Sequence, residues 1–239
     1  MTPDTPCSLH ENCILALLPA DESNRMRRFL QPVQLEFGQV IYEPQLPVEH
    51  VYFVDRGMIS IVSLLENGDS IEVGTIGYQG VAGLPAVFGD GTMIPFRHFV
   101  QMPGTARRMN VNALIAEMQH ESVLRKLLLR YQAAFLSQAM QSVACNGLHS
   151  VVQRCCKWLL MLQDTLGSDD VPITHDFLAQ MLGVRRASVS DVLRPLQEEG
   201  LLRTNRGKVT ILDRESLAQV SCECYRLIRG EYDRLLRVA

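Results

Sequence analysis

No run of apolar residues in this chain exceeds a few positions, so no segment is long enough to cross a bilayer as a helix. Basic residues are missing from Met1 to Glu11, a stretch that carries Asp4 and Glu11. A secretory signal of the usual kind is therefore not expected. The six histidines form no His-x-His pair and no pair at helical i, i+4 spacing. Gly-x-Ser-x-Gly, a phosphate loop and a paired Cys/His signature are absent too, which leaves no motif for a hydrolase, a nucleotidase or a metal site. Repeats and low-complexity tracts are also lacking. The seven cysteines are odd in number and scattered. They read as reduced thiols of a cytoplasmic protein, not as a disulfide framework.

What is present is an ordinary globular composition: 239 residues, 47% hydrophobic and 21% charged, enough for one large domain or two small ones. The net charge of −3 by itself argues against a nucleic-acid binder, but it is unevenly spread. Residues 1–109 carry seven basic and twelve acidic side chains, residues 110–170 five of each, and residues 171–239 eleven basic and nine acidic. A polyanion would be met by the C-terminal third.

Residues 33–109 read as short strands, with alternation in Val51-Tyr52-Phe53-Val54 and Ile59–Leu64. Turn signals at Gly38, Asp55-Arg56-Gly57, Asn67-Gly68, Gly77 and Gly89-Asp90-Gly91 separate them. Asn67-Gly68 predicts a two-residue hairpin turn. Short strands at this spacing suggest a sandwich or barrel-like roll. Glycine then disappears between Val111 and Asn146. Ser122–Cys145 is apolar on more than one side, through Leu124, Leu128, Tyr131, Phe135 and Met140 and through Leu127, Leu129, Leu136 and Val143. One face can cover the strands, and a second copy of the helix is an economical partner for another. Asn146-Gly147 reads as a hinge, followed by a helix with Val151, Cys155, Trp158 and Leu162 inward.

Residues 173–200 carry the most specific pattern. Thr174 is placed to cap a helix whose face is Leu178, Ala179 and Leu182, and Gly183 supplies the left-handed residue that ends it. A second helix turns Val189, Val192, Leu193 and Leu196 inward. Arg185, Arg186, Ser188, Ser190, Asp191 and Arg194 remain on its outer side. This is a helix-turn-helix, and cations at the start of the second helix suit phosphates and guanine edges. Gly200–Leu212 reads as a β-hairpin with a basic tip, a wing offering Arg203, Arg206 and Lys208 to the sugar-phosphate backbone. Two function classes compete with DNA binding: a cupin-like metal-dependent enzyme, which needs a histidine pair that is missing, and an interaction module that binds no DNA.

With Gly38, Gly57, Gly77, Ile173–Gly183 and Val189–Leu196 as landmarks, the chain resembles the Crp/Fnr family of bacterial transcription regulators over nearly its whole length. The resemblance implies an α+β fold. An N-terminal cyclic-nucleotide-binding-like β-roll with a long dimerisation helix would span residues 1–147, and a winged helix-turn-helix DNA-binding domain residues 148–239. It implies double-stranded DNA and a second copy of the chain as partners, with RNA polymerase and a small-molecule effector as further ones, and no membrane. In the cyclic-AMP members a glutamate binds the ribose, and an arginine and a serine bind the phosphate. Here Val81 or Ala82 stands for the glutamate, Arg97 is followed by no serine, and Ala139-Met140 replace the polar residues of the helix. Cyclic AMP is not expected as effector. The oxygen-sensing members hold an iron–sulfur cluster on four thiolates; only Cys7 and Cys13 lie near the N-terminus, so no cluster is expected. His98 stands where it could be compared with a haem ligand of gas-sensing relatives, and is read as structural.

Asp213 is placed to cap a final helical segment through Leu217, Val220, Tyr225, Ile228 and Tyr232, expected to pack on the DNA-binding domain or on the partner subunit. Cys222 and Cys224 are read as two residues apart on that helix, facing different ways and not easily able to clamp a metal jointly. The chain alone assigns them no role, nor Cys7 and Cys13.

Overall fold

A computed structural model describes residues 11–68, 70–89, 93–119 and 122–236. Two short helices, α1 (Cys13–Ala16) and α2 (Ala20–Arg27), precede an antiparallel sheet of β1 (Gln31–Leu35), β2 (Val40–Tyr42), β3 (His50–Leu64), β4 (Ser70–Ile76), β5 (Val81–Ala82) and β6 (Arg97–Asn110). The order is β1-β6-β3-β4, with β2 paired to β6 and β5 to β3. Helix α3 (Leu84–Phe88) lies between β5 and β6. After β6 come α4 (Val111–Met118), the long α5 (Val123–Leu148) and α6 (Val151–Leu166). The last third holds β7 (Asp170–Val171), α7 (His175–Leu182), α8 (Arg186–Glu198), β8 (Leu202–Asn205), β9 (Lys208–Ile211), α9 (Arg214–Val220) and α10 (Cys224–Leu236). The fold is the expected mixture: an N-terminal sheet domain and a C-terminal helix-turn-helix domain, linked by a long helix.

Two of the expected turns take another form. Asp55-Arg56-Gly57 lies inside β3, which runs on through them, and the register against β6 slips at Val54, Arg56 and Met58. Gly57 has φ +83°, and a Cβ there would sit 2.5 Å from the Met102 carbonyl oxygen. The glycine makes a β-bulge where two backbones nearly touch. The β3–β4 hairpin exists, but Leu64 pairs with Ser70, so Asn67-Gly68 belong to a longer loop.

Helix α5 starts on an organised cap. Ser122 Oγ accepts from the Arg125 amide at 3.1 Å, and the Glu22 carboxylate accepts from the Val123 and Leu124 amides at 2.9 and 3.0 Å. These acceptors satisfy amides that have no partner within the helix. The helix does not stop at Asn146-Gly147. It continues to Leu148, and the break falls at His149-Ser150, where Ser150 and Gln153 form a capping box for α6.

The C-terminal segment packs on the DNA-binding domain as expected through Leu217 and Tyr225, but its form and its second half depart from expectation. It is two helices, broken at Ser221–Glu223. The second returns to α5 of its own chain. Ile228, Tyr232 and Leu236 join the core of the sheet domain, and the Tyr232 hydroxyl donates to Gln138 Oε1 at 2.7 Å. Cys222 therefore lies outside any helix and Cys224 is the first residue of α10, so the opposite-face argument fails. Cys13 is disulfide-bonded, contrary to the reduced state expected of all seven thiols. Composition and spacing count thiols but do not say which of them meet. Cys7 lies outside the described residues.

A second core joins the domains: Met58, Val62 and Met102 of the sheet pack with residues of α6, α7, α8 and the β8–β9 hairpin. At this seam Trp158 Nε1 donates to Glu72 Oε1 at 2.9 Å and Ser60 Oγ donates to Glu72 Oε2 at 2.7 Å. Burial pushes the Glu72 carboxyl up from 4.5 to about 7, against the opposing effects of its hydrogen bonds to Ser60 and Trp158 and of nearby Lys157. The folded state thus holds a proton that the unfolded chain releases above its ordinary value. The contribution is complete below about pH 4.5 and is lost as pH rises through 7, by at most about 3 kcal/mol. Glu72→Gln is expected to raise the melting temperature at pH 8 and to flatten its dependence between pH 5 and 8. Parallel melting curves of the two proteins check this.

Candidate nucleic-acid interface

The outward helix of the C-terminal domain is α8, and its setting is built locally. Thr174 Oγ1 accepts from the Phe177 amide at 3.2 Å and starts α7. Gly183, at φ +63°, ends α7. The chain can then turn into α8, whose Val189, Val192, Leu193 and Leu196 are buried. Those four anchors leave Arg185, Arg186, Ser190, Asp191 and Arg194 exposed, as the spacing predicts, while Ser188, expected outward, is half-buried. Arg185 is the N-cap residue and its side chain caps nothing; no acidic residue lies in the first turn. Two guanidiniums therefore stand beside the positive end of the helix dipole, a setting for an anion.

The polar neighbours of α8 were not legible in the chain. Arg186 Nε lies 3.2 Å from Asp176 Oδ1, with both side chains exposed. Ser190 Oγ lies 3.3 Å from His175 Nδ1, and Arg194 lies 3.6 Å from Asp191. Sequence reasoning passed over His175 and Asp176 because they lie in the first helix. Their place next to the capping Thr174 was the available signal.

The wing forms as expected and gains a third strand, β7, to give the order β7-β9-β8. It is tied to α8 by Gln197 Oε1, which accepts from the Thr204 amide at 2.9 Å and its hydroxyl at 2.7 Å. Arg206 is exposed at the tip beside Gly207, which has φ +75°. Arg185 and Arg206 make no ion pair with the described residues. Lys208 differs: its Nζ lies 2.8 Å from Asp170 Oδ2, which holds the Asp170 carboxyl below its usual range together with a Thr210 hydrogen bond. Arg203 is exposed on the same strand pair.

The sensor positions are occupied by the protein's own groups. Val81 and Ala82 form β5 and are buried. Arg97 makes two hydrogen bonds to Glu43, at 2.8 and 2.9 Å. A Cβ on Gly83 would lie 2.5 Å from the Tyr42 hydroxyl, which donates to the His50 carbonyl at 2.7 Å. On α5 the residue facing the sheet is Gln138, whose Nε2 reaches Thr75 at 3.4 Å; Met140 instead faces outward. His98 is buried, donates from Nδ1 to the Phe96 carbonyl at 3.1 Å, and is pulled down to about 4 by burial. A separate cleft of about 470 Å³ lies between β4, α5, α6 and α10. Its Asp164, Arg214 and Tyr225 bond one another, Arg214 Nη2 to Asp164 at 2.7 Å and the Tyr225 hydroxyl to Asp164 at 2.7 Å.

Residues 153–220 match the Crp-like helix-turn-helix domain. The whole chain is similar to the global nitrogen regulator of Synechococcus elongatus, 22% identical over 88% of this chain and 97% of the relative. Among solved structures it shares the fold of a Crp/Fnr-family regulator from Eubacterium rectale, with a TM-score of 0.67, 20% identity, and 85% of this chain and 94% of the other covered. FixK2 from Bradyrhizobium japonicum superposes with a TM-score of 0.68 at 20% identity, over 81% of this chain and 98% of that one.

Proposed function

We propose that this chain is a transcription regulator of the Crp/Fnr type, and that through its Crp-like helix-turn-helix domain it binds palindromic double-stranded DNA as a homodimer, in the cytoplasm, under a signal other than cyclic AMP. The observation that carries the reading is the exposed, cationic start of α8, flanked by a wing with Arg206 at its tip. A helix held this way enters a major groove while the wing tracks the backbone.

The dimer reading rests on α5. Leu129, Leu136, Met140 and Val143 are 48, 54, 65 and 75% exposed in the single chain, at spacings of seven, four and three. Such a stripe suits the seam of a two-helix contact. A twofold dimer presents two copies of α8 to two half-sites, and RNA polymerase is the partner such a complex would recruit or block. The effector reading rests on buried Val81 and Ala82, where the ribose of a cyclic nucleotide would need a carboxylate, and on Arg97, already spent on Glu43.

In a mobility-shift titration the full chain is expected to prefer a selected palindrome over random duplex and to lose affinity steeply with salt. Cyclic AMP at millimolar concentration is expected to change neither that affinity nor the melting temperature. A ligand at a hundred times its Kd would stabilise the fold by about 2.7 kcal/mol. Equal binding to random duplex overturns the DNA reading, and a clear melting shift overturns the effector reading.

A further inference from the structure

We propose that Cys145, His149, Cys222 and Cys224 form a tetrahedral site for one thiolate-binding divalent metal ion, zinc by its donor set. Cys145 lies in the last turn of α5, and His149 is the residue that caps its end, its amide donating to the Cys145 carbonyl at 3.1 Å, which keeps the two residues next to each other. Cys222 comes from the link after α9 and Cys224 from the start of α10. The three cysteines are at most 2% exposed and form a cluster of their own, apart from the two main cores.

The geometry is that of a coordination sphere. One ligand atom from each of the four residues lies within 4.8 Å of the others. Cys145 Sγ and Cys222 Sγ are 3.6 Å apart, and Cys224 Sγ and His149 Nδ1 are 3.4 Å apart. A tetrahedral zinc with bonds of about 2.3 Å to sulfur and 2.0–2.1 Å to nitrogen separates two sulfurs by about 3.8 Å, and a sulfur from a nitrogen by about 3.5 Å. Three sulfurs and one imidazole in a closed tetrahedral set select zinc among the common divalent ions.

The surroundings suit the same ion. His149 Nε2 lies 3.3 Å from Glu223 Oε2. A carboxylate on that nitrogen keeps its proton there and turns the Nδ1 lone pair toward the sulfurs. Gln141 Nε2 donates to Cys224 Sγ at 3.1 Å, a hydrogen bond that a metal-bound sulfur can also accept. Buried Lys157 brings its ammonium near Cys145 and would offset the net charge left by three thiolates and one dication. The ion would clamp the start of α10 to the end of α5, one residue before the capping Ser150 of α6. It would thereby fix the junction between the long helix and the DNA-binding domain.

The test is metal content of the full chain, purified with reductant and without chelator. One zinc per chain is expected, and a chelator is expected to lower the melting temperature. Cobalt(II) added to the metal-stripped chain should give one equivalent of thiolate-to-cobalt absorption with the visible bands of a tetrahedral centre, displaced by added zinc. This arm uses the unaltered protein and does not depend on any variant folding. Cys222→Ser with Cys224→Ser should abolish both signals. Cys155→Ala, which removes a thiol buried elsewhere, should keep them. A chain that purifies without metal and takes up neither cobalt nor zinc overturns the proposal. So does iron in place of zinc, zinc retained by the double variant, or a Cys145–Cys222 disulfide found by peptide mapping of the untreated protein.

Discussion

A Leu136→Glu, Val143→Glu double variant is expected to sediment as a monomer and to lose about 10²–10⁴-fold in affinity for a palindromic site. Both side chains project from the same side of α5, seven residues apart, and both are exposed in the single chain. Substitution at such positions changes the stability of a protomer by no more than about 0.5 kcal/mol. The loss would come from the partner copy. In the proposed dimer, acidic groups at these positions would lie in the contact with the second copy and could not be desolvated there. Once the copies separate, each α8 binds a half-site alone and the second contact is no longer intramolecular. Sedimentation gives the mass, and mobility shift on full and half palindromes gives the affinity. A variant that stays dimeric would place the subunit contact elsewhere.

Arg186→Ala is the second large effect. Arg186 has to leave Asp176 to reach a base, but an exposed ion pair of this kind is worth only about 0–1 kcal/mol. If its guanidinium takes a guanine edge with two hydrogen bonds, removal costs about 1–3 kcal/mol per half-site and relaxes preference at one base position. Arg206→Ala is expected to weaken all sequences alike and to reduce the salt slope by about 1. Lys208→Ala should do less than Arg206→Ala, because Lys208 is already held by Asp170. Binding-site selection with each variant separates the roles. If Arg186→Ala keeps the parental consensus, base reading belongs to Ser188, Ser190 or Asp191 instead.

The DNA-binding domain was legible because its instructions are local. Thr174 caps three residues ahead of its amide partner, Gly183 ends its own helix, and the anchors of α8 repeat every three or four residues. What such signals leave open is the partner of each cation. Nothing in the chain around Lys208 announces Asp170, 38 residues away.

The same limit explains the misread elements. Asp-Arg-Gly has the composition of a turn and of a bulge alike. At Asp55–Gly57 the choice was made by β6, which lies alongside and keeps pairing through the slip in register. The expected hinge at Asn146-Gly147 rested on glycine's freedom, yet the helix runs on to Leu148 and the break comes at His149-Ser150, where the capping box that starts α6 is the stronger signal.

By itself the sequence determined the order of strands, long helix and winged helix-turn-helix, together with the outward face of α8. Each depends on hydrophobic period and caps within one or two turns of chain. Only the tertiary structure decided that α10 folds back onto α5. That return brings Cys145 and Cys222, 77 residues apart, to 3.6 Å, and sets His149 against Cys224. Spacing along a chain fixes which side chains share a helix face. Which faces meet is settled by burying the most apolar surface, here Ile228, Tyr232 and Leu236 against the sheet core, and the three cysteines arrive together as a consequence of that packing.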